Sequence, residues 1–408
     1  MLNNVLYLSY DGMTDPLGQS QVLPYLIGLT KQGNQFTLIS FEKKERYTQN
    51  KNTIQQICKE NNIDWQPIFY TKKPPVLSTI WDILKLNKKV KKLHQQKQFK
   101  LIHCRSYITA LIGLGFKQKH NIPFIFDMRG FWADERIDGN LWNLKNPLYK
   151  WIYNYFKKQE RLFLEYANKV ISLTENGKQE MLTWKIPNLT PDKISVIPCA
   201  ADYNLFELVS DEKRKIAKTN LGLTNNEFVL SYIGSIGTWY MLDEMLHFFS
   251  VLKQENPSAK FLFLTPEKEN QIIEPAKKYG LSENDFIIQF SQRKEIPSKA
   301  HASDFSIFFI KPAYSKKASS PTKMGELMAM GIPIICNNNV GDVEQIMQQS
   351  NAGFCLSNLD IKNYRKIVGL METMQIKPAF YRENSEKYYS LKNGYNSYLF
   401  IYNNLTHK

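Results

Sequence analysis

The residues best suited to chemistry lie in the segment SSPTKMGELMAMGIPIIC at positions 319–336. Ser320 is a residue type that caps helices and Pro321 suits a first helical position, so the spacing predicts a helix start here. The backbone amides of Thr322 and Lys323 would then lie at the positive end of that helix, where amides bind anions. The pattern therefore predicts a docking place for a diphosphate.

Two side chains of the same segment fit a nucleotide ligand. Lys323 adds a full positive charge beside the amides, and Glu326 follows about one helical turn later. A carboxylate at that position can accept hydrogen bonds from ribose hydroxyls. The spacing alone leaves a second interpretation open, in which Lys323 and Glu326 form a surface ion pair on an ordinary capped helix.

Two loops that follow predicted strands are rich in glycine and small polar residues. In YIGSIGTWYML, Gly234 and Ser235 let the backbone approach a ligand closely, although glycines also make ordinary strand-to-helix turns. In SYDGMTDPLGQSQVLPYL, a predicted helix begins with Gly18, Gln19 and Ser20, whose amides can meet an acceptor or a phosphate. A plain loop explains the second pattern equally well.

A dense group of charged and aromatic residues, FIFDMRGFWADER, follows a predicted strand. An arginine can clamp a phosphate or a sugar hydroxyl and a carboxylate can orient one, so Arg129 and Asp127 are candidate catalytic residues. The alternative is an internal Asp127 to Arg129 pair that closes the loop. His103 ends another predicted strand and is the third candidate, although a lone histidine is more often structural.

The sequence contains no Asp-x-Asp pair and no histidine or cysteine cluster with metal-ligand spacing. We therefore expect neither a divalent metal ion nor another cofactor, and cations of the protein must neutralise a leaving diphosphate. Neither a Gly-x-Ser-x-Gly motif nor a Walker loop occurs, which excludes the hydrolases and ATPases that depend on them.

Short apolar runs alternate with amphipathic helical stretches and must position these residues. The runs are VLYLSY (5–10), FTLIS (36–40), LIHC (101–104), FIFDM (124–128), VISLT (170–174) and ISVIP (194–198), then FVLSYIG (228–234), KFLFLT (260–265), FIIQF (286–290), FSIFFI (305–310), IPIIC (332–336) and GFCL (353–356). Continuous apolar runs are typical of strands buried on both faces, with helices as crossovers. The pattern predicts an α/β protein of two doubly wound, Rossmann-like domains, 1–205 and 206–385, that bind ligands beyond the carboxyl ends of their strands.

The last stretch carries an aromatic stripe at helical spacing and predicts a helix over 386–408. Its members are Tyr388, Leu391, Tyr395, Tyr398, Leu399 and Tyr402. So long an apolar face must be buried, and we expect the helix to return to the first domain and complete it. Packing on the second domain is the alternative.

The net charge of +15 over 408 residues raises the question of a nucleic-acid partner. The charge is concentrated, however, and no helix-turn-helix or RNA-binding aromatic pattern accompanies it, so we expect no nucleic acid. Between Lys72 and Lys100 there are nine lysines and one acid, interleaved with apolar residues in a predicted basic amphipathic helix at 77–97. The apolar stripe of that helix either faces the core or attaches to an anionic membrane surface.

Five scattered cysteines are typical of a reducing compartment, and no apolar run is long enough to span a membrane. The N-terminus shows no basic leader of a signal peptide. We expect a cytoplasmic protein, with peripheral attachment to the inner face of the plasma membrane as the membrane interpretation of the basic helix.

At these motifs the chain resembles glycosyltransferase family 4, a group of retaining enzymes with the GT-B fold. The resemblance rests on LSYDGMTDPLGQSQVLPYL, YIGSIGTWYML and SSPTKMGELMAMGIPII followed by Gly341 and Asp342. It implies that the two domains face each other across a cleft, with the nucleotide-sugar donor held mainly by the second and the acceptor by the first. It also implies that the last helix crosses back to the first domain.

The chain departs from the family pattern near the donor. Many relatives carry two glutamates eight positions apart; Glu326 occupies the second position and Ala318 the first. Many also carry an arginine after the glycine of the second domain's first strand, where this chain has Ser235. The resemblance therefore assigns more of the phosphate charge to Lys323 and Arg293.

The resemblance implies transfer of a hexosyl group from a nucleotide-diphosphate sugar to a hydroxyl of a glycan or lipid-linked acceptor in cell-surface polysaccharide synthesis, with retention of configuration. An alternative on the same fold is a nucleotide-sugar epimerase, which needs no separate acceptor pocket. A basic nucleic-acid-binding protein is the alternative from another class.

Overall fold

The computed structural model describes residues 3–406, which form two compact units. The first unit contains the chain up to Pro198, the short segment 314–319 and the chain from Leu391 onward. The second unit contains Cys199–Ala313 and Ser320–Ser390. The predicted divide, between 205 and 206, lies slightly further along the chain than this boundary.

The first unit is built on a seven-stranded parallel sheet in the order β3-β2-β1-β4-β5-β6-β7. Its strands are β1 (Asn3–Ser9), β2 (Asn34–Glu42), β3 (Ile63–Phe69), β4 (Leu101–Arg105), β5 (Phe124–Asp127), β6 (Lys169–Ser172) and β7 (Ile194–Val196). Its helices are α1 (Pro16–Gln21), α2 (Leu23–Thr30), α3 (Lys44–Glu60), α4 (Leu77–Lys97), α5 (Tyr107–His120), α6 (Trp132–Asp138), α7 (Pro147–Tyr166) and α8 (Glu175–Thr183), with α17 (Leu391–Thr406) from the end of the chain. The strand order reverses at β1, as in a doubly wound fold.

The sequence pattern does not predict β3. This strand, IDWQPIF, contains Pro67 and is only partly buried, because it lies at the edge of the sheet. An edge strand tolerates proline and does not need the continuous apolar run of a central strand.

The second unit is built on a six-stranded parallel sheet in the order β10-β9-β8-β11-β12-β13. Its strands are β8 (Val229–Ile233), β9 (Lys260–Leu264), β10 (Phe286–Gln289), β11 (Phe305–Phe308), β12 (Ile334–Asn337) and β13 (Gly353–Leu356). Its helices are α9 (Asp211–Asn220), α10 (Leu242–Glu255), α11 (Asn270–Ala276), α12 (Ile296–Ala300), α13 (Thr322–Met330), α14 (Val343–Ser350), α15 (Ile361–Thr373) and α16 (Pro378–Tyr389). Both units are thus Rossmann-like, and the predicted fold class is confirmed.

The aromatic stripe near the end of the chain is divided between two helices, so the prediction of one helix over 386–408 is wrong. Tyr388 lies in α16 of the second unit, and α17 begins at Leu391 in the first. Ser390 between them has an extended backbone. No glycine or proline lies at this break, so the sequence pattern gives no signal that the helix ends there.

The apolar residues of α4 are divided as well. Leu86, Val90 and Leu93 are buried in the core of the first unit, whereas Trp81 and Leu84 are exposed. Among residues 3–406, no helix combines the length and the apolar character needed to cross a bilayer.

Candidate active site

The start of α13 is the centre of the candidate site in the second unit. The helix begins at Thr322 with Pro321 as its N-cap, so the prediction of Ser320 as the cap is wrong by one position. The Ser320 hydroxyl instead accepts a hydrogen bond from the Cys199 amide at 3.2 Å, which holds it away from the helix. Proline has no side-chain acceptor, and no side chain of residues 3–406 caps this helix start.

Lys323 is a buried cation held by aromatic rings. Its Nζ lies 3.9 Å from the ring centroid of Tyr232 and 3.6 Å from that of Tyr240. Only 8% of the residue is exposed, and Nζ has no hydrogen-bond partner among the described residues. Burial lowers the pKa of Lys323 well below 10.5, although the charges of Glu326 and Glu267 act in the opposite direction. An anionic ligand would stabilise such a buried ammonium strongly, because it would supply a charged hydrogen-bond partner.

The β8 exit loop passes beside this lysine. A Cβ on Gly234 would lie 3.6 Å from Lys323 Nζ, and the φ of +109° at Gly234 favours glycine. The Ser235 hydroxyl donates a hydrogen bond of 2.9 Å to Glu267, which also accepts from the Thr265 hydroxyl. Burial raises the pKa of Glu267, but these hydrogen bonds outweigh it and the pKa is lowered. Ser235 therefore supports the loop through Glu267.

Glu326 pairs with Arg293 and not with Lys323. Arg293 Nη1 lies 2.6 Å from Glu326 Oε1, and the guanidinium lies over the ring of Phe206 at 5.1 Å. Lys323 and Glu326 are both buried, so the interpretation of a surface ion pair between them is wrong. The structure brings Gly234 beside Lys323 and Arg293 beside Glu326, all at the carboxyl edge of the second sheet.

A second polar cluster lies in the first unit. Asp127 is the last residue of β5, whereas His103 lies in the middle of β4 and not at its end as predicted. His103 and Asp127 are each 1% exposed, and His103 Nε2 lies 3.3 Å from Asp127 Oδ2. The hydroxyl of Tyr398 donates to the same carboxylate oxygen at 3.1 Å, and the hydroxyl of Tyr402 lies 2.6 Å from His103 Nδ1. A carboxylate only accepts, so Nε2 carries the proton and Nδ1 accepts from Tyr402. The helix α17 thus completes this cluster.

The charges in this cluster depend on Arg129. Burial raises the pKa of Asp127, but the nearby charge of Arg129 and the hydrogen bond from His103 outweigh it and bring the pKa to about 2. Arg129 Nη1 lies 3.7 Å from Asp127 Oδ1, so the internal pair considered for this loop is present. Burial lowers the pKa of His103, which leaves the imidazole neutral at pH 7. Arg129 has a left-handed backbone, with φ of 58°, and is 10% exposed at its side chain.

The residues Gly18, Gln19 and Ser20 have packing roles in this structure. A Cβ on Gly18 would lie 2.2 Å from the carbonyl oxygen of Gly12, so helix α1 can lie against that backbone only with glycine at position 18. The Gln19 side chain donates to the Thr14 carbonyl and the Ser20 hydroxyl to the Leu17 carbonyl. These contacts agree with the plain-loop interpretation of the pattern.

Sequence reasoning missed Glu42, whose carboxylate binds backbone amides of the loop that follows β1. Its buried carboxylate accepts hydrogen bonds from the amides of Met13 and Thr14 at 2.8 and 3.1 Å. It also missed Arg105, a buried side chain whose Nε donates to Asp11 at 3.2 Å. Both residues end strands, at the edge where ligand-binding residues are expected, so that rule alone could have found them.

The two tyrosines around Lys323 were missed for a different reason. Tyr232 reads as one more aromatic residue of a buried strand, and Tyr240 as part of a loop.

Within residues 3–406, no group of three histidine, cysteine, aspartate or glutamate side chains is placed to hold a metal ion.

Two family models match the sequence. Glycosyltransferase Family 4 matches residues 22–205, and Glycosyl transferases group 1 matches residues 213–388. A curated relative, the capsular polysaccharide biosynthesis glycosyltransferase CapM of Staphylococcus aureus, is 22% identical over 211 residues, 50% of this chain and 52% of CapM. The chain therefore spans about half the length of that curated relative.

The chain is similar to solved structures over nearly its whole length. A glycosyltransferase from Rickettsia africae ESF-5 has a TM-score of 0.72 at 16% identity, covering 99% of this chain and 98% of that one. HepE from Anabaena, in complex with UDP and glucose, has a TM-score of 0.69 at 12% identity, covering 97% and 99%. At such identities the likeness shows the fold alone.

Proposed function

Since the chain belongs to glycosyltransferase family 4, group 1, we propose that it transfers a hexosyl group from a nucleotide-diphosphate sugar to a hydroxyl of a glycan or lipid-linked acceptor. The two Rossmann-like units are those of the GT-B fold. The product would belong to a cell-surface polysaccharide, as the name of CapM supports, and the anomeric configuration would be retained.

One observation carries the proposal, the buried Lys323 ammonium beside the uncapped start of α13. In the proposed complex the diphosphate oxygens accept hydrogen bonds from the amides of Thr322 and Lys323, and Lys323 Nζ gives a charge-assisted one. Negative charge grows on the diphosphate as the bond to the sugar breaks, so these donors act most strongly in the transition state.

Glu326 and Arg293 serve the rest of the nucleotide in this proposal. Glu326 Oε2 accepts a hydrogen bond from a ribose hydroxyl, while Glu326 Oε1 keeps its hydrogen bond from Arg293. Arg293 holds the Glu326 carboxylate in place and adds positive charge to the site. A UDP-sugar is the first donor to test, because HepE is in complex with UDP and glucose in its solved structure. Gly234 and Ser235 line the donor in the same proposal.

We assign different roles to the three catalytic candidates of the first unit. Arg129, the more exposed of them, contacts the sugar or the acceptor, whereas Asp127 and His103 are positioning residues. Asp127 fixes Arg129 by charge, and His103 and Tyr398 fix Asp127 by hydrogen bonds. Gly18, Gln19 and Ser20 shape the acceptor loop. Binding of the acceptor by the first domain and of the donor by the second belongs to the same proposal.

Nucleotide release measured with and without a lipid-linked glycan acceptor tests the function. A transferase releases its nucleotide in an acceptor-dependent manner, whereas an epimerase converts the donor without acceptor. A thermal-shift screen against uridine, guanosine, cytidine and adenosine diphosphate sugars identifies the donor, because a ligand that binds only the folded state raises the melting temperature. Steep salt-dependent affinity for generic DNA without any nucleotide-sugar binding would instead favour the nucleic-acid alternative.

A further inference from the structure

The first unit exposes two apolar helix faces. On α4, Leu77, Ile80, Trp81 and Leu84 follow helical spacing, and all four are exposed. On α7, Leu148, Trp151 and Tyr155 do the same. The two tryptophans are 59% and 62% exposed, which is unusual for the largest apolar side chain.

The inner contacts of α4 turn this face outward. Asp82 is completely buried and accepts hydrogen bonds from the hydroxyl of Tyr10 and from the amide of Thr71. The neighbouring Trp81 therefore lies on the side that faces solvent. On α7, Ile152 and Phe156 are buried in the core, so Trp151 and Tyr155 lie on the outer side.

Both faces lie in one helix layer and at one end of it. The crossovers from β3 to β4, β4 to β5 and β5 to β6 all run in the same direction across the sheet, so right-handed connections place their helices on one face. Helix α5 contacts both α4 and α7. Crossover helices run antiparallel to their strands, so the first turns of α4 and α7 both lie toward the carboxyl edge.

The charge around these faces has one sign. The stretch 72–100 holds nine lysines and a single acid, the buried Asp82, and the stretch 139–158 holds four lysines and no acid. Lys88, Lys91 and Lys92 are exposed on α4. Between α4 and α5 runs a groove that combines apolar side chains with Lys91, Lys119 and His120. Exposed tryptophan and leucine among lysines complement a surface that is apolar inside and anionic outside.

We propose that the outer faces of α4 and α7 form one docking surface for an anionic phospholipid bilayer, into which Trp81 and Trp151 insert. The lysines contact lipid phosphates, and the apolar side chains enter the boundary between headgroups and acyl chains. The proposal rests on the proposed function, because a lipid-linked acceptor would be presented at this membrane. Docking by the first turns of α4 and α7 holds the carboxyl edge of the first sheet near the bilayer.

Vesicle co-sedimentation tests the surface. The wild type should pellet with vesicles of phosphatidylglycerol and phosphatidylcholine but not with phosphatidylcholine alone, and W81S/W151S should partition about tenfold more weakly. Phe400→Ser is the matched control, since Phe400 is exposed on α17, which packs on α2 and not on this helix layer. It should pellet like the wild type. Neutralising Lys88, Lys91 and Lys92 to Gln should also weaken binding.

A second variant separates insertion from folding defects. W81F/W151F keeps an apolar ring at each position and should still pellet, but fluorescence quenching by brominated acyl chains should be lost relative to the wild type. Equal pelleting of W81S/W151S and wild type would overturn the proposal. So would a lipid-free dimer that W81S/W151S abolishes, which would make the surface a self-association site. Donor binding by thermal shift without vesicles reports on the proposed function separately.

Discussion

The ammonium nitrogen of Lys323 lies 3.6 Å from the centre of the Tyr240 ring and 3.9 Å from the centre of the Tyr232 ring. A buried lysine without an anionic partner costs stability, because burial disfavours its charged form. Such an arrangement is expected where the partner is a ligand. The relationship between these residues therefore yields predictions for both activity and stability.

Replacing Lys323 by Ala should lower turnover by a factor on the order of 10², because the leaving diphosphate loses a charge-assisted hydrogen bond. The rate of acceptor-dependent nucleotide release measures this. Lys311→Ala is the control, since Lys311 is an exposed lysine of the same unit. Unchanged turnover in Lys323→Ala would remove Lys323 from the mechanism.

Lys323→Met should raise the free energy of unfolding at neutral pH, because an apolar side chain of similar length replaces a buried ammonium that has no hydrogen-bond partner among the described residues. The pKa of Lys323 is lowered in the folded state, so the folded protein binds fewer protons than the unfolded one. The free energy of unfolding of the wild type should therefore rise as the pH rises toward 10.5. The difference in free energy of unfolding between Lys323→Met and the wild type should shrink over the same range. Denaturant titrations at several pH values measure it; an advantage that grows with pH would contradict it.

Asp127 should stabilise the first unit in a pH-dependent manner. Its folded pKa of about 2 lies below the ordinary 3.8, so its contribution is present above pH 3.8 and lost as the pH falls toward 2. Asp127→Asn should cost about 3 kcal/mol at pH 7, because Arg129 then loses its buried countercharge. Urea unfolding at pH 7 and pH 3 should show a smaller difference between variant and wild type at pH 3. Asp192→Asn, at an exposed aspartate, is the control.

Tyr402→Phe should lower the free energy of unfolding by about 1 kcal/mol, because His103 Nδ1 loses its donor in a buried site. Thermal unfolding followed by circular dichroism measures this change. Tyr166→Phe alters an exposed tyrosine of the same unit and should leave the melting temperature unchanged. A loss as large in Tyr166→Phe would show that the effect is not specific to the His103 hydrogen bond.

Chelation of divalent metal ions by EDTA should leave the transfer rate unchanged. The expectation follows from the missing Asp-x-Asp pair and from the proposal that Lys323 and Arg293 neutralise the diphosphate. The measurement is the initial rate of nucleotide release before and after dialysis against EDTA. A rate that falls and is restored by added Mg²⁺ would require a metal ion in the mechanism.

Much of the fold could be predicted because it depends on local pattern. The apolar runs at 228–234 and 332–336 overlap strands β8 and β12, since central strands must be apolar on both faces. The start of α13 was predicted to within one residue from Ser320 and Pro321. By contrast, β3 is an edge strand with little apolar pattern, and the break between α16 and α17 falls at Ser390, which is neither a glycine nor a proline.

The sequence by itself determined which side chains follow the strands, because strand and helix periods are set by neighbouring residues. It placed Lys323, Glu326, Asp127 and Arg129 at the carboxyl edges of their sheets. The Asp127–Arg129 pair is local and was among the interpretations of the sequence, but only the tertiary structure decided the partners that lie far along the chain. Arg293 binds Glu326 across 33 positions, and Tyr398 reaches Asp127 across 271. Such pairs form between elements far apart in the chain, so no local period encodes them.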